Sequence, residues 1–240
     1  MAGQLVLPFG VRPAFDREEF IVAPCNEQAF RFIERWPDWP ARAAAIYGPA
    51  GCGKTHLATI WGKTSGASEF FVMLPDEEDH VDTLHRAAME HAISQLPENS
   101  VVLIEDVDAK PPTRNRDTLL MSLFERQKTT LLLTGEAAPS EWPVALGDLR
   151  SRFDSLLAFP MWALDETLLS RLVRKHFEDR QLAVTETIVK RILTHVERTP
   201  EAVAAFVARI DVKALSEKRA ITERLVMDLI EAEEQSGADR

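Results

Sequence analysis

Short apolar runs alternate with helical patterns over the first two thirds of the chain. The runs are near-continuous rather than interrupted by polar residues, which is typical of strands buried on both faces of a parallel sheet. They fall at residues 43–46, 70–74, 101–104, 130–133 and 156–159. Between them, apolar residues recur at helical spacing over 80–96 and 114–127. The alternation predicts an α/β fold with a parallel five-stranded sheet.

After Pro160 the pattern changes, because amphipathic helical periodicity continues without another strand-like run. Asp165 is predicted to cap the first of these helices, and Pro200 suits the first turn of the third. The helices are expected over 165–180, 186–197, 201–214 and 222–234. Three segments are therefore expected: an extended tail (1–12), an α/β core (13–160) and a small all-helical lid domain (161–240).

Charge and cysteine content bear on DNA binding, on disulfides and on metal sites. The 240 residues carry 38 acidic and 28 basic side chains, a formal net charge of −10, so a broad cationic DNA interface is excluded and DNA is expected to be reached through a partner. Two cysteines, Cys25 and Cys52, cannot form a disulfide framework, and no Cys/His cluster has zinc spacing. No apolar run approaches the roughly 20 residues of a membrane span, and the first residues lack the features of a secretory signal. We therefore expect a cytoplasmic protein with no membrane contact.

A glycine-rich segment after the first predicted strand fits a phosphate-binding loop. Residues 48–55 satisfy the pattern G-x-x-x-x-G-K-[ST] between a strand and a helix, where backbone N–H groups and a helix N-terminus can surround phosphates. The lysine is expected to reach the β- and γ-phosphate oxygens, and the threonine hydroxyl to ligate Mg²⁺. The cysteine is interpreted as a small side chain rather than a redox group. The predicted contacts to ADP or ATP come from Pro49, Ala50, Gly51, Cys52, Gly53, Lys54 and Thr55.

Two carboxylates follow the third predicted strand, where they can complete such a site. Four apolar residues at 101–104 lead directly into Glu105 and Asp106. Glu105 is expected to hold Mg²⁺ through water, together with Thr55, while Asp106 polarises the attacking water. Because an Asp normally leads in this motif, Asp106 or Asp108 is an alternative metal-side acid.

Several segments together resemble the AAA+ ATPases of the DnaA branch, over residues 14–235. His56, directly after the lysine and threonine, matches the GKTH sequence of that branch, and residues 20–26 resemble the segment before its first helix. The resemblance implies that His56 belongs to the nucleotide site and that Ile21 and Val22 line the adenine. Residues 131–134 resemble sensor 1, which implies a position for Thr134 near the γ-phosphate. Residues 149–153 closely resemble the LxSRF box, so Arg152 matches the arginine finger.

The N-terminal residues resemble the motif by which bacterial proteins dock on the replication sliding clamp. As a peptide, this segment offers apolar anchors and an amide suited to a groove, although it fits equally well a segment folded onto the core. The implied clamp contacts are Gln4, Leu5, Leu7, Pro8 and Phe9. The chain shows no counterpart of the long N-terminal region or of the helix-turn-helix domain of DnaA. The combination therefore resembles the Hda family, the regulatory inactivators of DnaA.

That resemblance implies a negative regulator of replication initiation. A protein of this family, with ADP or ATP and Mg²⁺ bound, docks on the DNA-loaded clamp, stimulates ATP hydrolysis by DnaA through an arginine finger and so prevents re-initiation. The implied partners are the β sliding clamp of DNA polymerase III, DnaA and, through the clamp, DNA. A homodimer is left open.

One position departs from the family pattern. Glu201 occupies the place of the sensor 2 arginine, and Arg198 fits equally well a substitute for it or a surface cation at a helix end. The departure favours weak or no intrinsic ATPase activity, with the nucleotide held as a conformational ligand. The alternatives are a helicase-loader-like AAA+ ATPase, a clamp-tethered DnaA adaptor without catalytic effect, and a P-loop kinase, which the all-helical residues 161–240 disfavour.

Overall fold

In the part of the chain that the structure describes, four parallel strands form the sheet at the centre of the fold. The computed structural model describes residues 15–66, 91, 93–109 and 111–238. In spatial order the strands are β2 (Val101–Ile104), β3 (Thr130–Gly135), β1 (Ala43–Tyr47) and β4 (Leu157–Pro160). The register places Ala45 of β1 beside Leu133 of β3 and Ala158 of β4. The predicted parallel α/β sheet is confirmed, and its expected strand at 70–74 lies outside the described residues.

Helices cover both faces of the sheet, because successive strand residues point to opposite sides. Ala44 and Ile46 of β1 belong to a buried cluster with the first two helices, whereas Ala45 between them belongs to a cluster with the next two. These helices are α1 (Glu27–Glu34), α2 (Lys54–Ser65), α3 (Arg114–Glu125) and α4 (Gly147–Asp154). Strands β1, β2 and β3 are therefore buried on both sides as predicted, whereas the edge strand β4 leaves Ala158 exposed.

The C-terminal helices enclose a hydrophobic cluster of their own, in which Phe177 and Phe206 are fully buried. They are α5 (Glu166–Glu178), α6 (Glu186–His195), α7 (Pro200–Glu217) and α8 (Glu223–Ala238). The Asp165 carboxylate caps α5 by accepting a hydrogen bond from the Leu168 N–H at 2.7 Å, as predicted. Pro200 lies in the first turn of α7, also as predicted. None of the helices within the described ranges has the length and apolar character needed to cross a membrane.

The segment before α1, residues 20–26, joins the sheet clusters to the helical cluster. Phe20 and Val22 pack with α1 and α2, whereas Ile21, Ala23 and Cys25 pack against the helical cluster. The buried Asn26 side chain holds this segment in shape, since its Oδ1 accepts from Ala23 N–H at 2.9 Å and its Nδ2 donates to the Ile21 carbonyl at 3.1 Å. The alternating segment therefore connects the two parts of the fold.

Tryptophans mark three places in the fold. Trp36, Trp39 and Trp61 form one aromatic group, in which Trp39 and Trp61 stack with ring centroids 5.1 Å apart. Trp142 is fully buried against Phe153, on the other side of the sheet. Trp162 is 63% exposed, and its backbone N–H donates to the Cys25 carbonyl at the junction with the helical cluster. Packing accounts for four of the five indoles.

We expect Asn26→Ala to lower the free energy of unfolding by about 1–3 kcal/mol, because it leaves a buried N–H and a carbonyl without their partner. Urea denaturation measures the change. Asn99→Ala is the matched control, since Asn99 is exposed in a turn, and its effect should stay within about 0.5 kcal/mol. Equal effects of the two substitutions would contradict the bridging role of Asn26.

Candidate nucleotide-binding site

The predicted phosphate-binding loop joins the carboxyl end of β1 to α2. Gly48, Gly51 and Gly53 have φ values of 155°, 71° and 96°, in the region that favours glycine. A Cβ built on Gly48 would lie 2.0 Å from the carbonyl oxygen of Met161, so no other residue fits there. The N–H of Gly48 donates to the Gly135 carbonyl at the end of β3. Backbone conformation and close packing together fix the loop.

Lys54 begins α2 and closes over the loop. Its side chain is buried, and Nζ donates to the carbonyl oxygens of Gly48 at 2.8 Å and Pro49 at 3.2 Å. The first turn of α2 contains no acidic residue, so the helix N-terminus adds an uncompensated positive end beside the ammonium. This arrangement favours an anionic ligand such as a phosphate.

Glu105, at the end of β2, faces the start of α2. Burial raises the pKa of Glu105, against the opposing effects of the neighbouring Thr55 side chain and of Lys54. The oxygen Oε1 is buried and has no hydrogen-bond partner among the residues that the structure describes. A hydroxyl and a carboxylate with a spare oxygen are hard donors that fit Mg²⁺. The described ranges contain no group of three or more His, Cys, Asp or Glu side chains that could hold a metal ion.

Thr134, the predicted sensor 1 residue, holds the turn of residues 105–108 that follows β2, which we call the acidic turn. Its hydroxyl accepts a hydrogen bond from the Asp106 N–H at 2.9 Å, and its carbonyl accepts one from the Val107 N–H at 2.9 Å. Thr134 is fully buried, whereas Asp106 is exposed with a left-handed φ of 50°. The threonine therefore stabilises a strained turn that presents the Asp106 carboxylate.

Asp108, considered above as an alternative metal-side acid, is hydrogen-bonded to the loop that follows β3. Its carboxylate accepts hydrogen bonds from the N–H groups of Glu136 at 3.0 Å and Ala137 at 2.8 Å, at the start of the loop that follows β3. The acid is thus engaged in holding that loop, which leaves Glu105 and Asp106 as the candidate site acids. Sequence spacing could not reveal this contact, because it joins segments 28 and 29 residues apart.

His56 and the predicted adenine-lining residues lie at one side of α2. His56 Nε2 is 3.0 Å from the Asp16 carbonyl, and its ring packs edge-on against Phe15 and Phe20. Burial lowers the pKa of His56, so the neutral ring is favoured. The predicted adenine-lining residues, Ile21 and Val22, follow Phe20 in the chain and are half-buried between the two parts of the fold. The structure thus brings His56 together with the N-terminal segment.

The helical part reaches the phosphate-binding loop through the start of α7. A Cβ on Gly51 would lie 2.6 Å from Cγ2 of Thr199, the residue that caps α7. Glu201 is exposed in the first turn of α7, where its charge is favourable to the helix dipole. Arg198 is exposed immediately before the cap. The position expected for a sensor 2 arginine therefore carries an acid that stabilises the helix.

Two arginines of α4 differ sharply in their contacts. Arg150 donates to the carbonyl oxygens of Ser140 at 2.7 Å and of Trp142 and Pro139, so it is part of the packing of the preceding loop. Arg152 is exposed, and its guanidinium makes no hydrogen bond or ion pair with any residue in the described ranges. Arg152, the exposed one of the two, is also the residue that matches the arginine finger in sequence. The predicted clamp contacts, Gln4, Leu5, Leu7, Pro8 and Phe9, lie outside the described residues.

Comparison with known proteins agrees with this geometry. Residues 44–161 match the family described as ATPase family associated with various cellular activities (AAA). The chain is 24% identical over 208 residues to the chromosomal replication initiator protein DnaA of Nautilia profundicola, covering 83% of this chain and 48% of that protein. It resembles domain III of the Thermotoga maritima DnaA with a TM-score of 0.73 at 18% identity, over 92% of this chain and 97% of that domain. The chain has a DnaA-type AAA+ fold.

A second solved structure shows what such an AAA+ fold binds in a relative. A replication initiator DnaA bound to AMPPCP and single-stranded DNA gives a TM-score of 0.69 at 18% identity, over 87% of this chain and 69% of that one. AMPPCP is an ATP analogue, so the same fold holds a nucleotide in DnaA. This chain spans about half the length of its DnaA relative, and the two share the AAA+ fold.

Gly51→Ala should destabilise the AAA+ fold by about 1–3 kcal/mol, because it forces a Cβ against Thr199 at a left-handed φ. Thr199→Ser removes the methyl group and keeps the capping hydroxyl, so it should recover part of the loss in the double variant. Gly62→Ala is the matched control, since a Cβ there meets nothing within 4 Å and a helical alanine should stabilise by up to about 1 kcal/mol. Thermal denaturation measures the stability of Gly51→Ala, Thr199→Ser, the double variant and Gly62→Ala, each against the unchanged protein. A loss that Thr199→Ser leaves unchanged would show that the contact with α7 is not the cause.

Arg150→Ala should lower the free energy of unfolding by about 1–3 kcal/mol, because three backbone carbonyls lose their donor. Arg152→Ala, two residues along the same helix, should change it by less than about 0.5 kcal/mol. Urea denaturation of the two variants tests the difference. A large loss for Arg152→Ala would mean that this side chain serves the fold.

Proposed function

We propose that this chain is a negative regulator of replication initiation that stimulates ATP hydrolysis by DnaA. In this proposal the protein docks on the DNA-loaded sliding clamp through Gln4–Phe9, holds ADP or ATP with Mg²⁺ in its own site, and supplies Arg152 to the nucleotide of DnaA. The switch of DnaA to its ADP form then prevents re-initiation. The protein acts in the cytoplasm and reaches DNA through the clamp.

The exposure of Arg152 is the observation that carries this proposal. A guanidinium that has no ion pair with the described residues, on a helix held to the core by Leu149 and Phe153, is available to a neighbouring molecule. The fold that this chain shares with DnaA supports a pairing of the two proteins as neighbouring subunits of one AAA+ assembly. In that arrangement the finger of one subunit enters the nucleotide site of the next.

The chemistry supplied to DnaA is stabilisation of transition-state charge. The oxygen of the attacking water forms a bond to the γ-phosphorus of ATP while the bond from that phosphorus to the β–γ bridging oxygen breaks, which gives ADP and phosphate. Negative charge on the phosphoryl oxygens is met by the Arg152 guanidinium, which donates hydrogen bonds and does not change its protonation state. An arginine in this role accelerates hydrolysis by about 10³–10⁵-fold.

The chain's own site fits a nucleotide held mainly as a conformational ligand. Lys54 would contact the phosphates, and Thr55 with Glu105 would hold Mg²⁺, which supplies charge neutralisation when bound. Asp106 stands in an exposed turn where it could orient water. Glu201 in the sensor 2 position supplies no cation to the phosphates, which supports slow turnover. The start of α7 against Gly51 allows the bound phosphates to influence the helical part.

The net charge supports an indirect route to DNA. At −10 the chain would be repelled by phosphates over most of its surface, so recruitment through a clamp that encircles DNA removes the need for a basic interface. The apolar anchors Leu7 and Phe9 beside Gln4 suit a groove with side-chain pockets. These residues give the proposal its second, independent test.

The experiment measures ATP hydrolysis by DnaA in the presence of DNA-loaded clamp and this protein. The intact chain should stimulate hydrolysis, and Arg152→Ala should lose the stimulation, by about 10³-fold at full effect, while retaining binding to DnaA and to nucleotide. The triple change of Gln4, Leu7 and Phe9 to Ala should lose clamp binding and the clamp-dependent part of the stimulation. Arg17→Ala, at an exposed site with an ion pair to Glu34, is the control for loss of a surface arginine.

Each contrary result would favour a different function for this chain. Unchanged hydrolysis with Arg152→Ala, together with intact binding, would favour a clamp-tethered adaptor without catalytic effect. Absence of clamp binding and of stimulation by the intact chain, with nucleotide still held, would favour a helicase-loader-like AAA+ ATPase.

A further inference from the structure

Arg116 and Asp117 form a buried ion pair on the face of α3 that packs against the sheet. Their side chains are 1% and 0% exposed, and Nε and Nη2 of Arg116 lie 2.9 and 2.8 Å from Oδ1 of Asp117. The neighbouring residues of that face are apolar: Leu119, Leu120, Leu123 and Phe124. Burying two charges among such residues is costly, and an apolar pair of similar volume is often as stable. The pair therefore calls for an explanation other than stability.

The other atoms of the pair reach two different segments of the chain. Oδ2 of Asp117 accepts hydrogen bonds from the N–H groups of Ala145 at 2.6 Å and Leu146 at 2.8 Å, the two residues before α4 begins. Arg116 donates to the Pro143 carbonyl through Nη2 and to the Val107 carbonyl at 3.4 Å through Nη1. One buried pair thus connects the acidic turn after β2 with the entry to α4.

The loop that leads from β3 to α4, residues 136–146, is held by side-chain hydrogen bonds along its whole length. Asp108 binds the amides at its start, and Arg150 binds the carbonyl oxygens of Ser140 and Trp142 near its middle. The Trp142 indole is fully buried and donates to the Ala137 carbonyl at 2.8 Å. The Asp117 contacts complete this series at the last residues of the loop. The direction in which α4 leaves the loop is therefore determined by side chains of α3 and of the acidic turn.

We propose that Asp117, held by Arg116, is a positioning residue that sets the orientation of α4 and thereby places Arg152 in the nucleotide site of the partner. The proposal rests on the proposed function of Arg152 as the group supplied to DnaA. Asp117 itself touches neither nucleotide nor partner. It acts through two amides that immediately precede the eight-residue helix carrying the finger.

The physical reason lies in the tolerance of the reaction. A misplacement of about 1 Å in a group that stabilises a transition state can cost about 10²-fold in rate. Apolar packing alone permits small rotations of a short helix, whereas one carboxylate oxygen accepting two consecutive N–H groups fixes the direction of the peptide planes at its start. Because Arg116 also holds the Val107 carbonyl, the finger is placed in a fixed relation to the chain's own acidic turn.

The test uses two variants, because removal of one partner from a buried pair can prevent folding. Asp117→Asn keeps the shape and replaces one acceptor by a donor. The double change Arg116→Met with Asp117→Leu fills the space without leaving an unpaired charge. Thr118→Ala, exposed on the next position of α3, is the matched control. All proteins are first compared by circular dichroism and thermal denaturation, then assayed well below their melting temperatures.

The measured quantities are the maximal rate of DnaA hydrolysis at saturating regulator and the regulator concentration that gives half of it. Both variants should lower the maximal rate about tenfold or more, while the half-maximal concentration and the binding of nucleotide to the regulator stay within about twofold. Thr118→Ala should change none of these. Combined with Arg152→Ala, Asp117→Asn should cost nothing further, because its effect passes through the finger.

Three results separate the proposals. If the intact chain fails to stimulate DnaA, the proposed function is wrong. If the intact chain stimulates, Arg152→Ala does not, and the two Asp117 variants keep the full maximal rate, the positioning role is wrong. A loss that adds to that of Arg152→Ala, or that appears in the half-maximal concentration or in nucleotide binding, would assign Asp117 a general structural role.

Discussion

Hydrogen bonds at the carboxyl edge of the parallel sheet are the constraint on which the rest of the structure depends. Beyond the last strand residues, Gly48 N–H donates to the Gly135 carbonyl, Met161 N–H to Tyr47 and Val107 N–H to Thr134. These bonds extend the sheet into the phosphate-binding loop, the acidic turn and the entry to the helical part. The parallel register of the strands, with Tyr47 beside Gly135 and Pro160, sets the relative positions of these three segments.

Much of this arrangement could be predicted from the sequence, because its parts are local. Lys54 and Thr55 follow a strand at a fixed spacing, and Glu105 follows another directly. The bond from the Asp106 N–H to the Thr134 hydroxyl could not be predicted, since it joins segments 28 residues apart and leaves no periodic pattern. Asp117 carries a sequence signal of its own, because it lies three residues before Leu120 on a helix face where the spacing calls for apolar side chains.

The residues nearest the chemistry carry costs that their neighbours offset. Burial disfavours the charged form of Glu105, and the left-handed φ of Asp106 is strained for a residue with a Cβ. The neighbouring Thr55 and Lys54 side chains oppose the first effect, and the Thr134 hydroxyl stabilises the turn by accepting a hydrogen bond from the Asp106 N–H. Arg152, by contrast, has no partner in the described part of the chain and rests on a helix whose other contacts are satisfied. The candidate nucleotide site and the helix that carries Arg152 are joined through the Arg116–Asp117 pair, which holds both Val107 and the entry to α4.

Trp162 gives this molecule an optical property. It is the large apolar side chain exposed at the junction of sheet and helical cluster, while Trp61 and Trp142 are fully enclosed. An indole in water emits at longer wavelength than one in an apolar interior, so Trp162 contributes most at the long-wavelength side of the emission band. Because its backbone is bonded to Cys25 in the connecting segment, a change in how the helices lie against the sheet would alter the polarity around this ring. Any such change is therefore accessible to intrinsic fluorescence without an attached dye.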